Sequence, residues 1–98
     1  MKLETNGDTL VVREVKELGA ANSTGFRDWV RSNLKDNYRN IDVDLSQTHF
    51  LDSCGLGALI AIHKSACGRK GTVRLLHPQP QVQQILELTR MHRIFQIV

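Results

Sequence analysis

The sequence has no long apolar run: Arg, Lys, Asp or Asn interrupts every hydrophobic stretch well before the ~18 residues a membrane span needs. The opening segment, Met1-Lys2-Leu3-Glu4-Thr5-Asn6-Gly7, lacks the apolar centre of a secretion signal, which makes the cytoplasm the expected compartment. Cysteine is scarce. Cys54 and Cys67 are the only two, and a helix running between them would hold them about 20 Å apart, far beyond bridging distance. They are expected to be free, packed thiols. There is no Cys-x-x-Cys pair, and the four histidines, His49, His63, His77 and His92, fall at no zinc spacing, so no structural metal site is expected. Aromatics are few: three Phe, one Trp and one Tyr. The basic residues therefore lack the interleaved stacking partners of a nucleic-acid surface.

The composition that remains, 41% hydrophobic and 23% charged over 98 residues, describes one globular domain spanning residues 1–98. Surface scaling for 11.1 kDa buries about two thirds of the unfolded chain's area, enough for a core without staples. Charge is uneven along the chain. Residues 1–62 carry 7 Lys+Arg against 9 Asp+Glu, whereas 63–98 carry 6 against 1. This basic end, Lys64, Arg69, Lys70, Arg74, Arg90 and Arg93, reads best as a solvated face or a match to an acidic protein partner.

Periodicity gives the order β-β-α-β-α-β-α-β. Asn6-Gly7-Asp8 is a turn between two β-prone stretches, Lys2–Thr5 and Thr9–Val15, and predicts a hairpin. The spacing of Phe26, Val30 and Leu34 predicts an amphipathic helix over 22–35, capped by Asn22 or Ser23, with Trp29 packing beside them. Ile41-Asp42-Val43-Asp44-Leu45 alternates as a strand. A mostly covered helix follows from Asp52 to Cys67, with His63 packed on it, and Gly68 and Gly71 bracket the next turn. Thr72–Leu76 reads as a strand, Pro78 and Pro80 announce a helix ending near Arg90, and Ile94–Val98 closes the chain as a strand. Strands alternating with helices imply an α/β domain with a mixed, largely parallel sheet.

The informative stretch is Leu45 to Leu59, where a strand and a short loop lead into Asp52-Ser53-Cys54-Gly55-Leu56-Gly57 at the start of an apolar helix. Asp52 and Ser53 stand where free backbone N–H groups and the positive helix end favour an acceptor and would stabilise an added phosphate. Gly55 and Gly57 each cost about 1 kcal/mol of helix propensity against Ala, which implies close approach by a neighbouring backbone, a packed residue or a ligand. No catalytic triad can be built from sequence, because His49 and Ser53 are neighbours only in order.

These residues resemble the STAS domains, and among them the single-domain anti-sigma factor antagonists of bacteria. Asp42-Val43-Asp44-Leu45-Ser46 is similar to the family's Asp-Leu-Ser strand end. Phe50-Leu51-Asp52-Ser53-Cys54-Gly55-Leu56-Gly57 is similar to its Asp-Ser-Ser/Thr-Gly-Leu phosphorylation motif, and weaker agreement runs through Val82 to Phe95. The resemblance implies a domain without catalysis or cofactor that works by partner switching. When unmodified it binds an anti-sigma factor that is also a serine kinase of ATPase fold, and phosphorylation of Ser53 ends that binding until a PP2C-type phosphatase resets it. Asp44, Asp52, Cys54 and Gly55 would flank the switch, and Leu56 and Gly57 would meet the partner. No nucleic acid is contacted directly. A second implication is the STAS subunit of a lipid-trafficking ABC transporter, which binds its ATPase without phosphate. The chain departs from the family pattern twice: Lys16-Glu17-Leu18-Gly19 stands where Gly-x-Leu-Asp is common, and Cys54 replaces Ser or Thr.

Overall fold

A computed structural model describes all 98 residues. Strands β1 (Lys2–Asn6) and β2 (Thr9–Arg13) pair antiparallel with Asn6 opposite Thr9. Gly7 turns the chain between them at φ 62, the left-handed backbone that a two-residue hairpin with Gly in first place requires. The remaining strands of the main sheet, β4 (Asn40–Asp44), β6 (Val73–Leu76) and β7 (Gln96–Ile97), add in parallel, and the spatial order is β1-β2-β4-β6-β7. Helices α1 (Ser23–Asn33), α2 (Ser53–Cys67) and α3 (Pro80–Leu88) make the crossovers, and a 3-10 turn, Met91–Arg93, leads into β7. The expected α/β order and mixed, mostly parallel sheet are therefore present.

Two elements were not legible as strands. β3 (Glu17–Leu18) and β5 (Phe50–Leu51) form a separate two-residue parallel ladder, with Glu17 opposite Phe50 and Leu18 opposite Leu51. Thr48, fully buried, donates its hydroxyl to the Val15 carbonyl, and the His49 N–H reaches the Lys16 carbonyl at 3.0 Å. These contacts seat the loop after β4 beside the loop after β2. Element ends also shift. The first helix stops at Asn33, before Lys35, and the third stops at Leu88, because Arg90 turns into the left-handed region at φ 60. The last strand shortens to Gln96–Ile97.

One face of the sheet carries the core. Leu10, Val12, Ile41, Val43, Val73 and Leu75 join Phe26 and Val30 of α1, Leu59, Ile62 and Ala66 of α2, and Val82 and Leu86 of α3 in a single cluster of 19 buried residues. Each such side chain contributes about 1.5–3 kcal/mol of transfer energy, set against ordering entropy. Trp29 packs at the edge of this cluster, as its position beside the Phe26 stripe predicts, and the His63 ring meets Phe95 edge-on at 5.4 Å.

The opposite face presents Glu4, Arg13, Asp42, Asp44 and Arg74 around Val11, which is buried but outside the cluster. Arg74 grips Asp42 with Nε to Oδ1 at 2.9 Å and Nη2 to Oδ2 at 2.6 Å, and Arg13 joins Glu4 at 2.8 Å and Asp44 at 3.0 Å. Arg69 closes α1 from the other side of the molecule, donating to the carbonyls of Leu34, Lys35 and Tyr38. Two of the six cations in the basic C-terminal third are thus committed to internal partners.

Asp42 keeps only 7% of its side chain exposed, so removing Arg74 strands a carboxylate away from water. Arg74→Ala is expected to lower unfolding free energy in urea by about 1–3 kcal/mol, reduced from a fully buried pair because Arg74 itself is half exposed. The double change Asp42→Leu/Arg74→Met should recover most of that loss. A double variant no more stable than the single one would refute this account of the pair.

Candidate functional site

The β3–β5 ladder brings two helix starts together. Directly after Leu51, Asp52 takes extended backbone and becomes the N-cap of α2, its Oδ1 accepting the Gly55 N–H at 3.0 Å. Its Oδ2 accepts the Ala20 N–H at 3.1 Å, and its own N–H reaches the Leu18 carbonyl at 3.2 Å. One residue therefore fastens the β5–α2 turn to the β3–α1 turn. Hydrogen bonding from Gly55 above all, then from Ala20, outweighs partial burial and holds the Asp52 carboxyl below the usual carboxylate range.

Ser53 is consequently not the cap. It occupies the first helical position, exposed, and the capping acceptor is supplied by its neighbour. Cys54, next in line, is exposed too, as is Cys67 at the far end of the same helix. Both thiols are free as expected, but neither is packed: Cys54 faces outward in the first turn, and Cys67 sits in the last, 3.5 Å from His63 Nε2.

The two glycines of the motif divide. A Cβ on Gly55 would lie 2.1 Å from the Leu18 carbonyl oxygen, so close backbone approach explains this glycine. A Cβ on Gly57 would meet nothing within 4 Å, so of the three reasons offered for this glycine a neighbouring backbone and a packed residue are ruled out. Gly57 instead lines an open depression of about 330 Å³ together with Ser23, Thr24, Arg27, Cys54 and Ala58, between the first two turns of α1 and α2. Leu56 is half buried against the core.

At Gly19 a Cβ would come within 2.5 Å of the Phe50 ring and 3.0 Å of Asp52 Oδ2. Phe50 is nonetheless 48% exposed, an aromatic at the edge of the site. Asn22, at the start of α1, does not cap it with its side chain: Oδ1 accepts the Gly19 N–H at 2.9 Å and Nδ2 donates to the Glu17 carbonyl at 2.7 Å. Asp44 is engaged elsewhere. Burial alone would raise its carboxyl, but the Ser46 N–H and the Arg13 guanidinium prevail and hold it low, and none of its partners is shared with Asp52 or Ser53.

Sequence reasoning missed Phe50, read only as part of a motif, and the cluster of Ser23, Thr24 and Arg27, which faces α2 across a gap that no local period reveals. The one available signal was Arg27 on the same stripe as Ser23, four residues apart.

The comparisons with known proteins agree with this fold. A family model described as the STAS domain matches residues 1–98. The chain belongs to the STAS domain family. A Thermotoga maritima protein named "putative anti-sigma factor antagonist" is 33% identical over 91 residues, which span 92% of this chain and 80% of the relative. A crystal structure under that description from the same organism superposes with TM-score 0.88 at 31% identity, covering 98% of this chain and 83% of the other. SpoIIAA, an anti-sigma factor antagonist in its unphosphorylated form, shares the fold at TM-score 0.84 and 20% identity, with 99% and 86% covered.

The lowered Asp52 and Asp44 carboxyls imply acid lability. A carboxyl depressed in the folded state contributes stability above its unfolded pKa of about 3.9, and that stability is lost as pH falls through the lower folded value. The melting temperature should hold from neutrality to about pH 5 and fall below about pH 4. Asp52→Asn keeps an oxygen for the Gly55 N–H but turns an amide NH2 toward the Ala20 N–H, so it should melt lower at neutral pH with a shallower acid fall, and an unchanged pH profile would refute the assignment.

Calorimetry should also separate the glycines. Gly55→Ala is expected to lose about 1–3 kcal/mol through overpacking against Leu18, whereas Gly57→Ala should gain about 0.5–1 kcal/mol of helix propensity. Equal effects at both positions would contradict the geometry.

Proposed function

We propose that the chain is an anti-sigma factor antagonist that acts by partner switching, with Ser53 as the switch. The observation that carries this reading is an exposed serine in the first turn of α2 whose capping duty has passed to Asp52. Such a hydroxyl is open to a kinase. Its modification need not unpick a hydrogen bond on which the fold relies. The relatives' names, and the match of Ser53 to the family's phosphorylation motif, support the same reading.

In the unmodified state the surface around Ser53, with Cys54, Leu56, Gly57 and the exposed Phe50 ring, receives an anti-sigma factor that is itself a serine kinase of ATPase fold. The kinase transfers the γ-phosphoryl of its ATP to Ser53 Oγ. The O–P bond to ADP breaks as the new one forms, and the hydroxyl proton leaves to a base on the kinase. The phosphoserine brings about −1.5 to −2 charge beside Asp52, while the helix N-terminus offsets part of the repulsion within the domain. The fold persists and the complementary interface fails, releasing the partner. A PP2C-type phosphatase restores the hydroxyl. The chain itself performs no catalysis.

The test is to incubate the chain with ATP and the serine kinases of its source organism and to map modification by peptide mass spectrometry. One phosphate on Ser53, none in Ser53→Ala, is expected. Phosphorylation should weaken binding to the cognate kinase at least about 100-fold, since like charge set against a matched surface costs several kcal/mol. No phosphate from any of those kinases, together with stable co-purification with a transporter ATPase, would overturn the reading in favour of a transporter subunit.

A further inference from the structure

The depression beside Ser53 is lined by hydrogen-bond donors and bears no acid. Ser23, Thr24 and Arg27 form one wall, and Cys54, Gly57 and Ala58 form the other. Both walls belong to the first two turns of helices, near the positive ends of their dipoles. Ser23 is 93% buried by its 7% exposure, yet its hydroxyl serves no hydrogen bond within the chain. No polar side-chain atom sealed from solvent lacks a partner, so this hydroxyl opens into the depression that Ser23 lines. Arg27 is similarly available: only Nε is used, for the adjacent and exposed Asp28 at 3.1 Å, an arrangement of little energetic weight that leaves both terminal nitrogens free. Ser53 adjoins Cys54 in sequence and stands one helical turn, about 6 Å, above Gly57 on the same face.

We propose that this depression is a phosphoryl-receiving site in which Arg27, with the Ser23 and Thr24 hydroxyls, takes the phosphoryl group carried by Ser53. The proposal rests on reading Ser53 as the modified residue and adds where its phosphate goes. A planar guanidinium with free nitrogens suits a phosphoryl group better than a point charge does. Filling the depression removes a cationic recess from the partner's view and replaces it with an anionic surface. Release of the partner then follows from lost shape as well as from repulsion. The same oxyanion chemistry admits free phosphate, the second source to be distinguished.

The experiment places phosphoserine at position 53 by genetic encoding, so that no kinase is needed, and follows the second phosphate ionisation by ³¹P NMR in three backgrounds. The wild-type midpoint should lie about 1 unit below that of Arg27→Gln, with Arg27→Lys between them, because a cation in contact favours the dianion. Asp28 and Asp52, the neighbouring acids, are the same in all three, so the difference reports position 27. The unmodified Arg27→Gln chain should melt close to wild type, which shows that the variant folds. Equal midpoints overturn the proposal. Titration of the unmodified chain with inorganic phosphate separates the sources. Saturable amide shifts at Ser23, Thr24 and Cys54, absent in Arg27→Gln, mean the site also takes the free ion. No shifts beside a depressed wild-type midpoint mean it takes only the tethered group. Failure of every kinase to modify Ser53, together with co-purification with a transporter ATPase, would sink the proposed function while leaving the midpoint result intact.

Discussion

The double hydrogen bond of Asp52 is the contact on which the candidate site depends. One carboxylate oxygen closes the first turn of α2 through Gly55, and the other holds Ala20 in the turn before α1. This ties together two helix starts through residues, Ala20 and Asp52, that are 32 apart in sequence. Gly55 is the necessary counterpart, since only a residue without Cβ lets α2 begin so near the Leu18 carbonyl. A second effect is chemical. Had Ser53 supplied the cap, a phosphate on it would have replaced a native acceptor and changed helix stability directly. With Asp52 in that role, charge can be added at Ser53 outside the set of bonds that hold the two turns together.

The sheet shows the same division between holding and presenting. Its helices lie on the core face, and its other face is closed by ion pairs rather than by a further layer. Asp42, opposite Val11 in the sheet, is gripped by Arg74 there, and Arg13 links Glu4 to Asp44. Arg69 meanwhile satisfies three carbonyls at the end of α1. The apparent charge asymmetry of the sequence therefore overstates what a partner would meet, because part of the basic end is spent inside the domain.

Much of the fold was legible because its periods are clean. Phe26, Val30 and Leu34 fall inward as a stripe along α1 and its C-cap, and Ile41, Val43 and Leu45 alternate inward along β4 and the residue after it. What escaped was set by tertiary contact. A two-residue ladder such as β3 with β5 has no period to read. It exists because Thr48 and His49 bind backbone carbonyls on the other side. Ser53 could be singled out by its motif, but Asp52 and Ser53 were indistinguishable as caps until the backbone placed Asp52 at the boundary. The exposure of both cysteines was equally hidden, for small residues on a largely apolar helix read as packed. Asp44, in a matching motif, turns out to be held by Arg13 across the sheet, a pairing 31 residues distant.

Gly19 and Phe50 belong together for the same reason. Where STAS sequences often carry an acid after the second strand, this chain has glycine, and its missing side chain leaves room that the Phe50 ring and Asp52 Oδ2 occupy. A carboxylate there would collide with the ring and repel the cap that fastens the two turns. The absence of that acid is thus coupled to an aromatic at the surface, and its consequence is electrostatic. Asp52 has both oxygens turned to backbone N–H groups, and Arg27 is the one charged side chain lining the depression next to Ser53. An incoming negative group at Ser53 would meet attraction from Arg27 on the side of α1, while the neighbouring carboxylates are already engaged, Asp52 by backbone N–H groups and Asp28 by Arg27 Nε. That asymmetry gives the added charge a direction in which to settle.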